Sequence, residues 1–120
     1  MATLRPHYSA WRETENLVFV SGQLAFDETG IVGETIGEQT AKCLENLLNI
    51  LSKAGLSLDD VVKTTVWITR QENFAAFNET YAKFFPNTPP ARSTVVSALA
   101  VPGALIEIEA IARRRLQRPE

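Results

Sequence analysis

Residues 106–112 alternate strictly, with Ile106 and Ile108 on one side and Glu107 and Glu109 on the other. A period of two fits a strand whose one face is buried and whose other face carries the carboxylates. This run closes the stretch 90–112, which reads as a β-ribbon. A first β-rich run covers about 92–98, a second covers about 105–112, and Pro102-Gly103 is the turn signal between them. In the first run Arg92, Thr94 and Val96 share a face. A lone arginine thus enters an apolar strand, and two carboxylates stand on the strand expected beside it. Ordinary solvated strand residues with an ion pair are one reading, since charged side chains are mostly exposed. The other follows from the surroundings of Arg92. It sits among Ala91, Val95 and Val96 and follows a stiff Pro-Pro-Ala approach. A guanidinium fixed in this way presents a planar fork of donors that matches a carboxylate, as a site for a small organic acid requires.

The chain has 120 residues and reads as a single domain, 1–120. A formal net charge of −2 gives no global field to recruit nucleic acid or an anionic membrane. The one cysteine, Cys43, excludes an internal disulfide and fits a reducing compartment such as the cytoplasm. With one histidine, His7, a His-based metal site or His-relay nucleophile is not expected. No apolar run approaches membrane-spanning length, and the first residues lack the apolar core of a secretory signal.

Residues 17–24, Leu-Val-Phe-Val-Ser-Gly-Gln-Leu, predict a strand. Gly22 inside it marks a bulge or a close approach by another backbone or a ligand. Asp27-Glu28-Thr29-Gly30 predicts a turn. Thr35 and Glu38 have capping-box spacing, and Ala41, Leu44, Leu47, Leu48 and Leu51 follow at helical intervals, with Gly55 as the left-handed cap. Cys43 lies on or beside that stripe and reads as a buried, inert thiol. Residues 61–69, Val-Val-Lys-Thr-Thr-Val-Trp-Ile-Thr, form the most β-prone run, and neither of its faces is wholly polar. Such a strand is covered on both sides. Two helices can cover one face, so a partner subunit is the natural second cover, and a homo-oligomer is expected. Thr69 and Glu72 repeat the capping-box spacing. Phe74, Phe77, Tyr81 and Phe84 then make an aromatic stripe that Pro86 stops, and it reads as core. Asn78 lies on or near this stripe, where its amide must brace a neighbouring segment or touch a ligand. The order is strand, helix, strand, helix, strand, strand, with a short strand near Tyr8. This is an α+β layer with helices on one face of a mixed sheet. Arg113, Arg114, Arg115 and Arg118 make a basic tail that reads as solvated or rim contacts.

Five blocks, in order and correctly spaced, resemble the RidA family, also called YjgF or liver perchloric-acid-soluble protein. They are Val-Ser-Gly-Gln (20–23), Leu-Asp-Asp-Val-Val-Lys-Thr-Thr-Val (58–66), Phe-Ala-Ala-Phe-Asn-Glu-Thr-Tyr (74–81), Pro-Ala-Arg-Ser-Thr-Val (90–95) and Ile-Glu-Ile-Glu-Ala-Ile-Ala (106–112). The resemblance implies a chorismate-mutase-like fold, with a six-stranded mixed sheet and two helices on one face. It also implies a homotrimer with a cleft at each interface and no cofactor or metal. The implied activity is hydrolysis of reactive enamines and imines, such as 2-aminoacrylate and 2-iminobutanoate, to 2-keto acids and ammonia. By position, Arg92 would grip the substrate carboxylate and Glu107 would position or activate the attacking water. Tyr8 and Asn78 would line the pocket, Ser21 and Gly22 would bring backbone close to the ligand, and Thr94 stands where many members carry cysteine. His7, Ala25-Phe26 and Val96 depart from common family residues and bear on substrate range. A ribonuclease activity, also attached to the family, is disfavoured by net acidity and the single histidine. A non-catalytic carboxylate-binding or chaperone-like trimer is the other alternative.

Overall fold

The computed structural model describes residues 6–115. The strands are β1 (Trp11–Thr14), β2 (Leu17–Gln23), β3 (Phe26–Asp27), β4 (Gly30–Ile31), β5 (Val61–Ile68), β6 (Ala91–Val96) and β7 (Ile106–Arg113). The helices are α1 (Ile36–Lys53) and α2 (Phe74–Phe84). The main sheet has the order β1-β2-β7-β5-β6, and β3 and β4 form a separate two-stranded ribbon. Pairing is antiparallel except between β5 and β6, so the sheet is mixed. Both helices lie on one face, and the fold is α+β as expected. The main sheet holds five strands where the resemblance implies six. The chain bulges at Gly22 and leaves the sheet after Gln23, so the next two strands fold on each other.

The ends of α1 follow from its sequence. The Thr35 hydroxyl accepts the Glu38 N–H at 3.1 Å, and Glu38 accepts the Thr35 N–H at 3.2 Å. At the other end Gly55 adopts φ 80°, Gly55 N–H donates to Ser52 O, and Leu56 N–H donates to Leu51 O. These two bonds satisfy the last carbonyls of the helix. Cys43, Leu44, Leu47 and Leu51 are fully buried against Val18, Val66, Ile106 and Ile108 of the sheet. Burial pushes the Cys43 thiol up to about 12, which leaves it protonated and inert.

Two local expectations fail. The capping box at Thr69 and Glu72 does not form. A 3₁₀ turn at Gln71–Asn73 intervenes, and α2 begins after Asn73 with no side-chain cap. The ribbon over 90–112 does not form either. β6 and β7 are not neighbours, because β5 runs between them, parallel to β6 and antiparallel to β7. The turn at 102–103 exists, and Gly103 has φ 85°, but it belongs to a longer crossover, residues 97–105, that passes the end of β5. The short strand near Tyr8 is β1, which starts at Trp11.

The face of the sheet away from the helices is uncovered. Leu17 and Phe19 of β2 and Val95 of β6 are 37%, 41% and 40% exposed on it, beside half-buried Trp67 and Ile111.

Candidate functional site

The expected site residues divide into two groups, one on each face of the sheet. Arg92 pairs in register with Thr64 of β5. Thr64 is fully buried on the helix face, 2.7 Å from the Tyr81 hydroxyl. Arg92 therefore points toward α2. Its guanidinium carbon lies 5.8, 5.1 and 4.8 Å from the ring centres of Phe74, Phe77 and Tyr81. Its Nη1 donates to Asn78 Oδ1 at 2.8 Å. The aromatic stripe of α2, expected as core alone, thus also forms a wall for the cation, through ring faces that attract positive charge. Asn78 braces Arg92 itself rather than a loop. Among the described residues the ion pairs are Arg114 with Glu13 and Arg115 with Asp60, and Arg92 has no carboxylate partner. No carboxylate among the described residues competes for its remaining N–H groups. Thr94 follows on the same face, and a recess of about 510 Å³ runs from it past Val96, Phe74 and Ala75. Val96 is 52% exposed there.

Glu107 stands on the opposite face. Ile106 and Ile108 are fully buried under the helices, so the alternation turns Glu107 and Glu109 outward. It lines a recess of about 360 Å³ with Tyr8, Ser21, Gly22, Leu24, Ala100, Val101 and Glu109. Gly22 leaves room for the Glu107 carboxylate where it stands. A Cβ on it would overlap the Glu107 carboxylate, with Cδ only 2.9 Å away. The bulge expected of this glycine is present; the group that comes close is neither backbone nor ligand but the Glu107 side chain of the same chain. Burial, and then the negative charge of Glu109, raise the Glu107 carboxyl above the ordinary carboxylate range. Ser21 Oγ donates to Ser9 O at 2.6 Å, which ties β2 to the segment that carries Tyr8. Tyr8 is 68% exposed. His7 joins Tyr8, Ser21 and Glu109 around a broader basin on the same face, while Phe26 lies exposed on the separate ribbon.

Tyr8, Ser21, Gly22 and Glu107 therefore come together, and so do Asn78, Arg92 and Thr94. The two sets do not meet within one chain, because β5 and the thickness of the sheet separate them. Three contributors escaped the sequence reading. Phe77 and Tyr81 read as core from their spacing, and no sequence signal marks Gln39. Arg114, from the basic tail, donates to both Glu13 oxygens and to Ala54 O, so it fastens β1 to the end of α1. Arg118 lies outside the described residues. No described helix is long and apolar enough to cross a membrane.

Comparison with known proteins adds four findings. A family described as Endoribonuclease L-PSP matches residues 2–114. The chain is 45% identical over 107 residues to a RutC family protein of Pyrococcus abyssi, covering 88% of this chain and 84% of that one. It is 44% identical over 104 residues to the 2-iminobutanoate/2-iminopropanoate deaminase of Salmonella typhimurium, covering 83% and 81%. Among solved structures, TdcF of E. coli with bound serine superposes with a TM-score of 0.86 at 38% identity, covering 94% and 91%.

Proposed function

We propose, from the premise that this chain belongs to the Endoribonuclease L-PSP family, the RidA or YjgF family, that it hydrolyses 2-imino acids such as 2-iminobutanoate and 2-iminopropanoate to 2-keto acids and ammonia. The observation that carries this reading is Arg92: a guanidinium held by three ring faces and one amide oxygen, with no carboxylate partner among the described residues. A cation prepared in this way is matched to a small organic anion. The bound serine of the E. coli relative, itself an amino acid, agrees with that class.

The site is formed between copies of the chain. Arg92 and Glu107 face opposite ways, so a cleft that uses both must take Arg92 from one protomer and Glu107 from the next. The uncovered sheet face, with Phe19, Leu17 and Val95 exposed, provides an apolar surface for that contact. A closed trimer repeats the contact three times without leaving an end. Arg92 binds the carboxylate and fixes the C=N bond against a water. Glu107 takes a proton from this water as its oxygen bonds to the imine carbon and the π electrons move to nitrogen. Glu107 returns this proton to the nitrogen to give the carbinolamine, then passes the hydroxyl proton to the nitrogen as the C–N bond breaks, so that C=O forms and ammonia leaves. Tyr8 and the Ser21-Gly22 backbone line the water side, and Thr94 and Asn78 the carboxylate side. The imine carbon is already electrophilic, so orientation and one proton relay are sufficient. The reaction draws only on side chains of this kind and calls for no cofactor. The ribonuclease reading, which the family's description carries, is tested by the salt dependence of RNA binding, where a flat response argues against phosphate contacts.

The test couples the protein to a threonine dehydratase and times 2-ketobutyrate appearance. Wild type should accelerate release, and Arg92→Ala should remove the acceleration while the oligomer in light scattering is unchanged. Arg92→Lys should fail nearly as fully, since a point charge cannot form the fork. Wild-type rates in either variant would refute the assignment.

A further inference from the structure

We infer that Gln39 is a positioning residue for Glu107: its amide anchors the 97–105 crossover, and the crossover roofs the recess in which Glu107 stands. The inference rests on the role proposed above for Glu107. Gln39 is 2% exposed at the second turn of α1. Its Nε2 donates to Gly33 O and Gly103 O, both at 3.0 Å, and its Oε1 accepts Leu105 N–H at 2.8 Å. Both donors and the acceptor are thus engaged, and two of the three bonds grip a segment more than sixty residues away in sequence. Among the described residues the other main-chain ties between this crossover and the body are Ser97 N–H to Ile68 O, at its start, and Thr69 N–H to Leu105 O, at its end. Ala100 and Val101 of the crossover line the Glu107 recess, and Ser97, Ala98 and Leu99 line a smaller one of about 200 Å³ that also borders Glu107. Leu105, fixed by Gln39, is two residues before Glu107 on the same strand approach.

The crossover contains no titratable residue, so it acts on Glu107 by excluding water and by setting where the strand begins. The charged or titratable groups that share the sheet face with Glu107 are Glu109 beside it, Lys63 of β5, Arg12 of β1 and Tyr8, and Cys43 lies behind the sheet on α1. None is bonded to Gln39. Loosening the crossover should therefore let water reach Glu107 and leave the Arg92 cradle intact.

Gln39→Met fills the space without hydrogen bonds, and Gln39→Asn, too short to make all three, is the second variant should the first not fold. The expected result is a kcat about tenfold lower with KM for the imine unchanged, because small misplacements of a reacting group are costly. The acid limb of kcat should move down toward the ordinary carboxylate range. A lower melting temperature with unchanged kcat and acid limb, or a rise in KM alone, would overturn the inference and leave Gln39 a brace. If wild type hydrolyses no imine, the proposed function fails and the Glu107 carboxyl is followed by carbon NMR instead. Equal titration midpoints in wild type and variant then overturn the inference, and a lowered midpoint in the variant supports it.

Discussion

The Arg92 side and the Glu107 side of the site are built on opposite principles. Arg92 carries a permanent charge, and the protein surrounds it with ring faces and one amide oxygen but no counter-charge. Glu107 carries a titratable charge, and the protein raises its carboxyl by burial and by a like charge two residues away. In the proposed reaction the first group holds the anion and the second exchanges the proton. Stacking side chains on a helix suffices for the first, whereas the second needs backbone to come close, hence Gly22 and the crossover.

The largest expected effect tests whether the halves belong to different chains. Arg92→Ala and Glu107→Gln should each be inactive alone. Unfolded together and reassembled at random, they should recover about a quarter of the wild-type rate, since one cleft in four then unites two intact halves in a closed ring of like contacts. No recovery by the ketobutyrate assay would mean that both residues act from one chain. Next in size, Gly22→Ala should lower kcat by more than about tenfold, because the new methyl displaces the Glu107 carboxylate. Binding of 2-ketobutyrate by calorimetry should change less, as Arg92 is untouched. Asn78→Asp should weaken 2-ketobutyrate binding more than Asn78→Ala does, because a carboxylate in place of the amide oxygen gives Arg92 an internal partner. Equal effects would show that Asn78 acts through shape alone. The smallest effect belongs to Glu109→Gln. Removing the like charge should lower the Glu107 pKa, and activity that needs ionised Glu107 should then persist to lower pH. The acid limb of a pH–rate profile reads this directly, and an upward shift would contradict it.

Much of this architecture was legible in sequence. The Thr35-Glu38 box, the leucine stripe and Gly55 delimit α1 within a residue, because caps and stripe are local signals that agree. The two-faced β5 pointed to cover on both sides; within one chain the helices cover one face and the other is uncovered. Partners of a strand are less legible. Alternation fixes which side chains share a face but not which strand lies alongside, so Pro102-Gly103 suggested a hairpin where the chain crosses over β5. Thr69 and Glu72 had the spacing of a cap, yet the 3₁₀ turn at Gln71–Asn73 separates them from the helix. At the site, Arg92 and Glu107 were conspicuous as charges in apolar strands. That Phe77 and Tyr81 stand beneath the arginine, and that Gln39 reaches from a helix to a distant loop, depends on contacts between segments far apart in sequence, which no local pattern encodes.

The position of β5 between the two charged groups has a consequence for regulation. On the proposed mechanism, a solitary protomer would own both groups and still be chemically silent, since they stand on opposite faces of its sheet. Catalytic output should therefore follow the protein's own abundance, falling off steeply below the concentration at which copies separate. The polypeptide would act as a gauge of how much of itself is present.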